Sequence, residues 1–178
     1  MPVSVELRPH PDTAGPAGVR LTVAVAREAD GALVLSYRLA GDLAALAIPA
    51  PAAPERRDGL WRHTCCEAFV MAGDGPAYRE FNFAPSASWA AYAFTAYRAG
   101  GRDLAMPAPD IACRTRADGF ELSARLPGIA LPGGRLRLGL STVVEDAAGR
   151  VGYWALRHAP GKPDFHHPDS FALELPGS

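Results

Sequence analysis

The feature that most constrains this chain is alternation of apolar and polar residues with a period of two. Val19, Leu21, Val23 and Val25 alternate with Arg20, Thr22 and Ala24, and Leu33, Leu35, Tyr37 and Leu39 repeat the pattern after Asp30-Gly31. Successive side chains of a strand point to opposite faces, so such stripes cover a core with one face only. An Asp-Gly pair between two stripes is a hairpin signal. Phe120, Leu122, Ala124 and Leu126 follow Asp118-Gly119; Leu136, Leu138 and Leu140 follow Gly133-Gly134; and Phe171, Leu173 and Leu175 lie near the C-terminus. Less regular strands fit 3–8, 65–72, 78–84, 88–97, 110–116 and 153–157, for a total of ten or eleven. The spacing predicts an all-β fold with little helix. It is expected to be a two-sheet antiparallel β-sandwich, a single domain over 1–178, with a barrel as the related closure. One or two helical turns are expected at 42–48, capped by Asp42 and ended by Pro49, before an extended Ala-Pro connector at 49–54.

Composition narrows the function classes. The 178 residues carry 18 Lys plus Arg against 19 Asp plus Glu, so no basic footprint for nucleic acid or an anionic membrane is present. No apolar run approaches the roughly 20 residues that span a bilayer. Cys65 and Cys66 are adjacent and Cys113 leaves the count at three, which gives neither a disulfide framework nor a zinc signature. The opening residues show no basic segment followed by an apolar one, so a cytoplasmic location is expected.

Three segments hold the candidate site. On a strand starting at Cys65, the side chains of Cys65, Glu67 and Phe69 share a face. In the next strand Tyr78, Glu80 and Asn82 share a face opposite Phe81 and Phe83. Glu67 and Glu80 on adjacent strands form either a paired carboxylate site or a surface pair held by Arg62 or Arg98. The segment 157–169 holds three prolines in 13 residues, with His158, His166, His167 and Asp164. It reads as a long constrained loop that hydrogen-bonds a ligand or pins itself to the sheet, and its spacing matches no metal-ligand motif. Lys162, the only lysine, lies in it. Trp61 and Trp154 stand at strand edges, where an indole either stacks on a ligand ring or fills the core. No nucleophile elbow, phosphate loop or dinucleotide motif occurs.

Leu60-Trp61-x-x-Thr64-Cys65-x-Glu67-x-Phe69, then Tyr78-x-Glu80-Phe81-Asn82-Phe83-x-Pro85-Ser86, together with the segment 153–166, resemble the bacterial DOMON-like proteins, which are similar to family-nine carbohydrate-binding modules. The resemblance implies a β-sandwich that binds a small sugar-like ligand without catalysis, by aromatic stacking and polar side chains. It makes Trp61 and Trp154 the aromatic candidates. Arg62, Glu67, Glu80, Asn82, Arg98 and Lys162 are then the polar ones, with His158 on the loop. No cofactor is expected. The alternatives are a haem-binding redox module, for which Met71, Met106 and the histidines are available, a bound cation, an enzyme using Glu67, Glu80 and the His-rich loop, and a protein-interaction domain.

Overall fold

The computed structural model describes residues 2–13 and 15–177. Twelve strands account for nearly all of its regular structure: β1 (Val3–Pro9), β2 (Arg20–Arg27), β3 (Leu33–Ala40), β4 (Cys65–Ala72), β5 (Tyr78–Phe83), β6 (Trp89–Phe94), β7 (Arg102–Asp103), β8 (Asp110–Arg116), β9 (Gly119–Leu126), β10 (Leu136–Glu145), β11 (Val151–Ala155) and β12 (Leu173–Leu175). Every strand-to-strand pairing is antiparallel. The helical expectation at 42–48 shrinks to one 3₁₀ turn, Leu43–Ala45. The Asp42 carboxylate accepts from the Ala44 N–H, but Leu46 has already returned to extended backbone, so the cap starts a turn that nothing prolongs.

The strands pair in the order β7-β6-β5-β4-β10-β11-β1-β2-β3-β9-β8, with β12 added to β10. This is one continuous curled path rather than two unconnected sheets, because β1 serves both halves. Val3 to Leu7 pair with β2, whereas Arg8 and Pro9 pair with Ala155 and Trp154 of β11. Pro9 lacks an N–H, which suits the end of a strand, where one ladder bond fewer is lost.

The two halves bury their apolar faces on one core. One half contributes Leu21, Val23, Leu35, Tyr37, Leu122 and Ala124; the other contributes Val70, Phe81, Phe83, Leu138, Leu140 and Trp154. A hydrogen bond fastens them: the Tyr37 hydroxyl, fully buried, donates to the Glu67 carbonyl at 2.7 Å. β10 is longer than its Leu stripe predicts. It continues through Ser141 and Thr142, both buried, so the hydroxyls broke the hydrophobic pattern without leaving the interior. The far face of β4, β5, β10 and β11 is also covered. There Phe69, Met71, Tyr78, Val143 and Ala155 form a second apolar cluster with Phe165 and Phe171 of the C-terminal loop.

Candidate ligand-binding site

The site lies on that second face. Register places Ser141 of β10 opposite Glu67 of β4, and Glu67 opposite Asn82 of β5. The three side chains therefore form a row across three strands, on the face turned away from the main core. All are buried: Ser141 2 %, Glu67 2 % and Asn82 0 % exposed. The Ser141 Oγ, Glu67 Oε1 and Asn82 Oδ1 atoms have no hydrogen-bond partner among the described residues. A buried polar atom left unpaired costs about 1–3 kcal/mol, so a row of three marks a place built to be filled. The next row runs Phe69, Glu80, Tyr92. Glu80, 5 % exposed, accepts a 2.9 Å hydrogen bond from the Asn82 amide, which locks the two side chains together along β5.

Above these rows is a cavity of about 650 Å³. Its floor includes Glu67, Phe69, Glu80 and Val143; its walls are Trp61, Tyr92, Phe94 and Tyr153; and its roof is Lys162, Pro163, Phe165 and His166 from the C-terminal loop, with Arg98 at one side. The loop is anchored at several points. His158 Nε2 is 2.7 Å from the Arg8 carbonyl and His10 Nε2 is 3.0 Å from the Gly161 carbonyl. The Asp164 carboxylate receives the Tyr97 hydroxyl, the Arg98 guanidinium at 2.8 Å and the His166 N–H at 3.1 Å. Arg98 is at φ 51, a left-handed conformation that few non-glycine residues adopt. In that turn its N–H donates to the Tyr78 hydroxyl at 3.2 Å while its side chain reaches Asp164. The same Tyr78 hydroxyl lies 2.8 Å from His166 Nδ1, within hydrogen-bond distance. The other ring nitrogen of His166, Nε2, faces Glu80, 3.7 Å from Oε2.

Burial controls the charges. It raises the Glu67 carboxyl well above its ordinary range, and the neighbouring Glu80 adds to the effect. Burial also raises Glu80, against the Asn82 hydrogen bond and the Arg98 charge. The pair therefore resists full ionisation and holds a proton more readily than exposed carboxyls do. His166 is pushed down to about 4, by burial first and the Arg98 charge second, so its ring is neutral at pH 7. Asp164 moves opposite to the two glutamates: burial lifts it, but the Tyr97 and Arg98 hydrogen bonds outweigh that and hold it below the carboxylate norm.

Of the nine residues singled out from sequence, Trp61, Glu67, Glu80, Arg98 and Lys162 line this cavity, and Asn82 underlies it beside Glu80. Glu67 and Glu80 are buried in the site, not a solvated pair on an exposed strand face. Trp154 is elsewhere: it is 3 % exposed within the main core, its ring packed on Gly15 and Gly152. A Cβ on Gly152 would come within 2.4 Å of the Gly15 Cα, so only glycine lets these segments close over the indole. Strand alternation explains the difference, since Trp154 points to the core and its neighbour Tyr153 to the cavity. Arg62 lies over the Trp61 ring at 5.3 Å and faces a separate hollow of about 620 Å³, shared with Arg57, His63 and Glu145. His158 pins the loop and does not line the cavity. Tyr92, Phe94, Tyr153, Phe165 and His166 complete the lining without having been singled out as ligand contacts. For Tyr92 and Phe94 the signal was present, because β6 carries aromatics on both faces. Met71 and Met106 do not line the cavity, and no group of three or more metal-ligating side chains assembles among the described residues.

This architecture, twelve antiparallel strands with almost no helix, is one found in carbohydrate-binding modules. A candidate carbohydrate-binding protein from Bacteroides uniformis ATCC 8492 superposes with a TM-score of 0.70 at 14 % identity, over 93 % of this chain and 82 % of that one. Two structures of a family-nine carbohydrate-binding module from Caldicellulosiruptor kristjanssonii also match. The complex with cellotriose has a TM-score of 0.56 at 12 % identity, over 88 % of this chain and 75 % of that one. The complex with glucose has a TM-score of 0.58 at 14 % identity, over 97 % and 83 %. At these identities the likeness is one of fold. No family model matches the chain, and no curated protein matches it in sequence.

Proposed function

We propose that this chain is a non-catalytic carbohydrate-binding module of the DOMON-like kind, its two half-sheets acting as the layers of a sandwich, and that it holds a sugar or sugar-like ring in the cavity over β4, β5 and β6. The observation that carries the reading is one cavity lined both by buried carboxyls, Glu67 with an unpaired Oε1 and Glu80, and by aromatic rings. Sugar rings have apolar C–H faces and hydroxyl edges, so a pocket for them needs both chemistries at right angles. Trp61, 48 % exposed, is the ring best placed to stack on a bound sugar; Glu67 and Glu80 would take its hydroxyls. The sugar complexes among the fold neighbours support the ligand class.

Calorimetric titration against glucose, cellotriose and a wider monosaccharide panel tests this. Saturable heat, a change in indole fluorescence and a raised melting temperature are expected for at least one sugar. A panel that moves none of the three would overturn the reading.

A further inference from the structure

The hydrogen-bonding character of the floor restricts the ligand further, provided the cavity is a sugar pocket as proposed above. Glu67 Oε1 lines the cavity and lacks a partner among the described residues, and in its ionised form it can only accept. The Asn82 amide nitrogen is already committed to Glu80. An incoming group must therefore bring donors to the deep end of the pocket. A hydroxyl brings one; an ammonium brings three and a positive charge.

The charges around the floor point the same way. The basic groups that face it are Arg98, His166 and Lys162. Arg98 is engaged by Asp164 at 2.8 Å, the His166 ring is neutral at pH 7, and Lys162 sits on the exposed rim. Of the other titratable groups, Asp58 accepts the Tyr92 hydroxyl at 2.7 Å outside the floor, Tyr78 is bonded to His166, and Cys65 is a buried thiol on the same face of β4, its pKa driven well up by burial. The two glutamates are thus left without a basic partner committed to them, beneath aromatic faces that attract cations.

We propose that the cavity selects a sugar-like ring bearing a primary amine, its ammonium seated at Glu67 and Glu80 and its ring against Trp61. Burial biases the carboxyl pair towards holding a proton and the ammonium favours its ionised form, so binding of the charged amine shifts the pair towards proton release.

The test compares glucose, its 2-, 3- and 6-amino derivatives, and N-acetylglucosamine by calorimetry at pH 7, in two buffers of different ionisation heat. At least one amino sugar should bind tenfold or more tightly than glucose and N-acetylglucosamine, with a buffer-dependent heat that reports proton release. In the Glu67→Gln protein that advantage should fall to under threefold, because the amino sugar loses more affinity than glucose does. If Glu67→Gln does not fold, Glu80→Gln and the wild-type buffer dependence serve instead. Glucose binding as tightly as every amino sugar would overturn the amine preference and leave the sugar pocket standing. No binding by any of these compounds would overturn the amine preference, and failure of cellotriose and the wider monosaccharide panel as well would overturn the sugar pocket.

Discussion

The two halves of the curled sheet are built from similar strands and use their outer faces differently. In β3 and β9 burial alternates along nearly the whole strand, because the face away from the core is open to solvent. In β4 and β10 nearly every residue is buried. The outer face of β8 and β9 carries the exposed pair Arg116–Glu121 and Arg125, which pairs with Glu28, whereas the outer face of β4 and β5 carries Glu67, Glu80 and Asn82 under a roof of loop. A carboxylate is cheap in the first setting and costly in the second. The costly set is the one around the cavity, and it is therefore where function is to be sought.

Breaking this contrast should have graded effects. The largest belongs to the shared core. Trp154→Ala should lower unfolding free energy by about 3–5 kcal/mol in denaturant titration, as expected for a large buried aromatic. A loss of sugar binding without a loss of stability would place Trp154 in the pocket instead.

Acid should expose the next effect. An unfolded histidine titrates near 6.5, whereas folded His166 titrates at about 4, so as pH falls through this window the unfolded chain takes up the proton first. Stability from this group is whole above about 6.5 and is lost on the way down to about 4. The difference in stability between wild type and His166→Gln should shift by about 3 kcal/mol against the wild type between pH 7 and pH 4, from roughly 1.4 kcal/mol per pH unit. The Glu67–Glu80 pair has the opposite sign, since raised carboxyl pKa values favour the folded state at low pH and cost stability as pH rises through the ordinary carboxylate range. A pH-independent difference between the two proteins would mean that His166 is solvated.

Smaller in energy but specific to the cavity, Trp61→Ala should weaken sugar binding about 10- to 100-fold, or roughly 1.4–2.7 kcal/mol, with melting hardly changed because the ring is half exposed. The smallest effect lies on the open half. Arg116→Ala removes an exposed pair with Glu121 and should alter stability by less than about 0.5 kcal/mol and binding not at all. A binding defect there would shift attention to the wrong half of the molecule.

The strands were legible because most of them alternate; even their turns carried Asp-Gly or Gly-Gly signals. Less legible were the parts where burial is two-sided. β10 hid its second half behind Ser141 and Thr142, and β7 is too short to leave a pattern. The continuous path could not be read either, since it depends on β1 changing partners at Arg8, which no local signal marks. In the site, strand phase showed which face Glu67, Glu80 and Asn82 occupy but left a solvated pair open, and the resemblance made them ligand candidates. Trp154 was put in the pocket by the resemblance, while the residues alone left core filling open, which is where it lies; its neighbour Tyr153 has the pocket-facing phase. His166 and Phe165 depend on how a proline-rich loop folds back, which neither periodicity nor spacing encodes.

The most direct test of the two-half contrast is to map where a sugar binds. Backbone amide shifts should be recorded on labelled protein during titration with the tightest sugar of the panel. The perturbed amides should cluster on β4, β5 and β6 and on residues 161–166. Perturbations gathered instead on β8 and β9, or around Arg57, Arg62 and His63, would contradict the account.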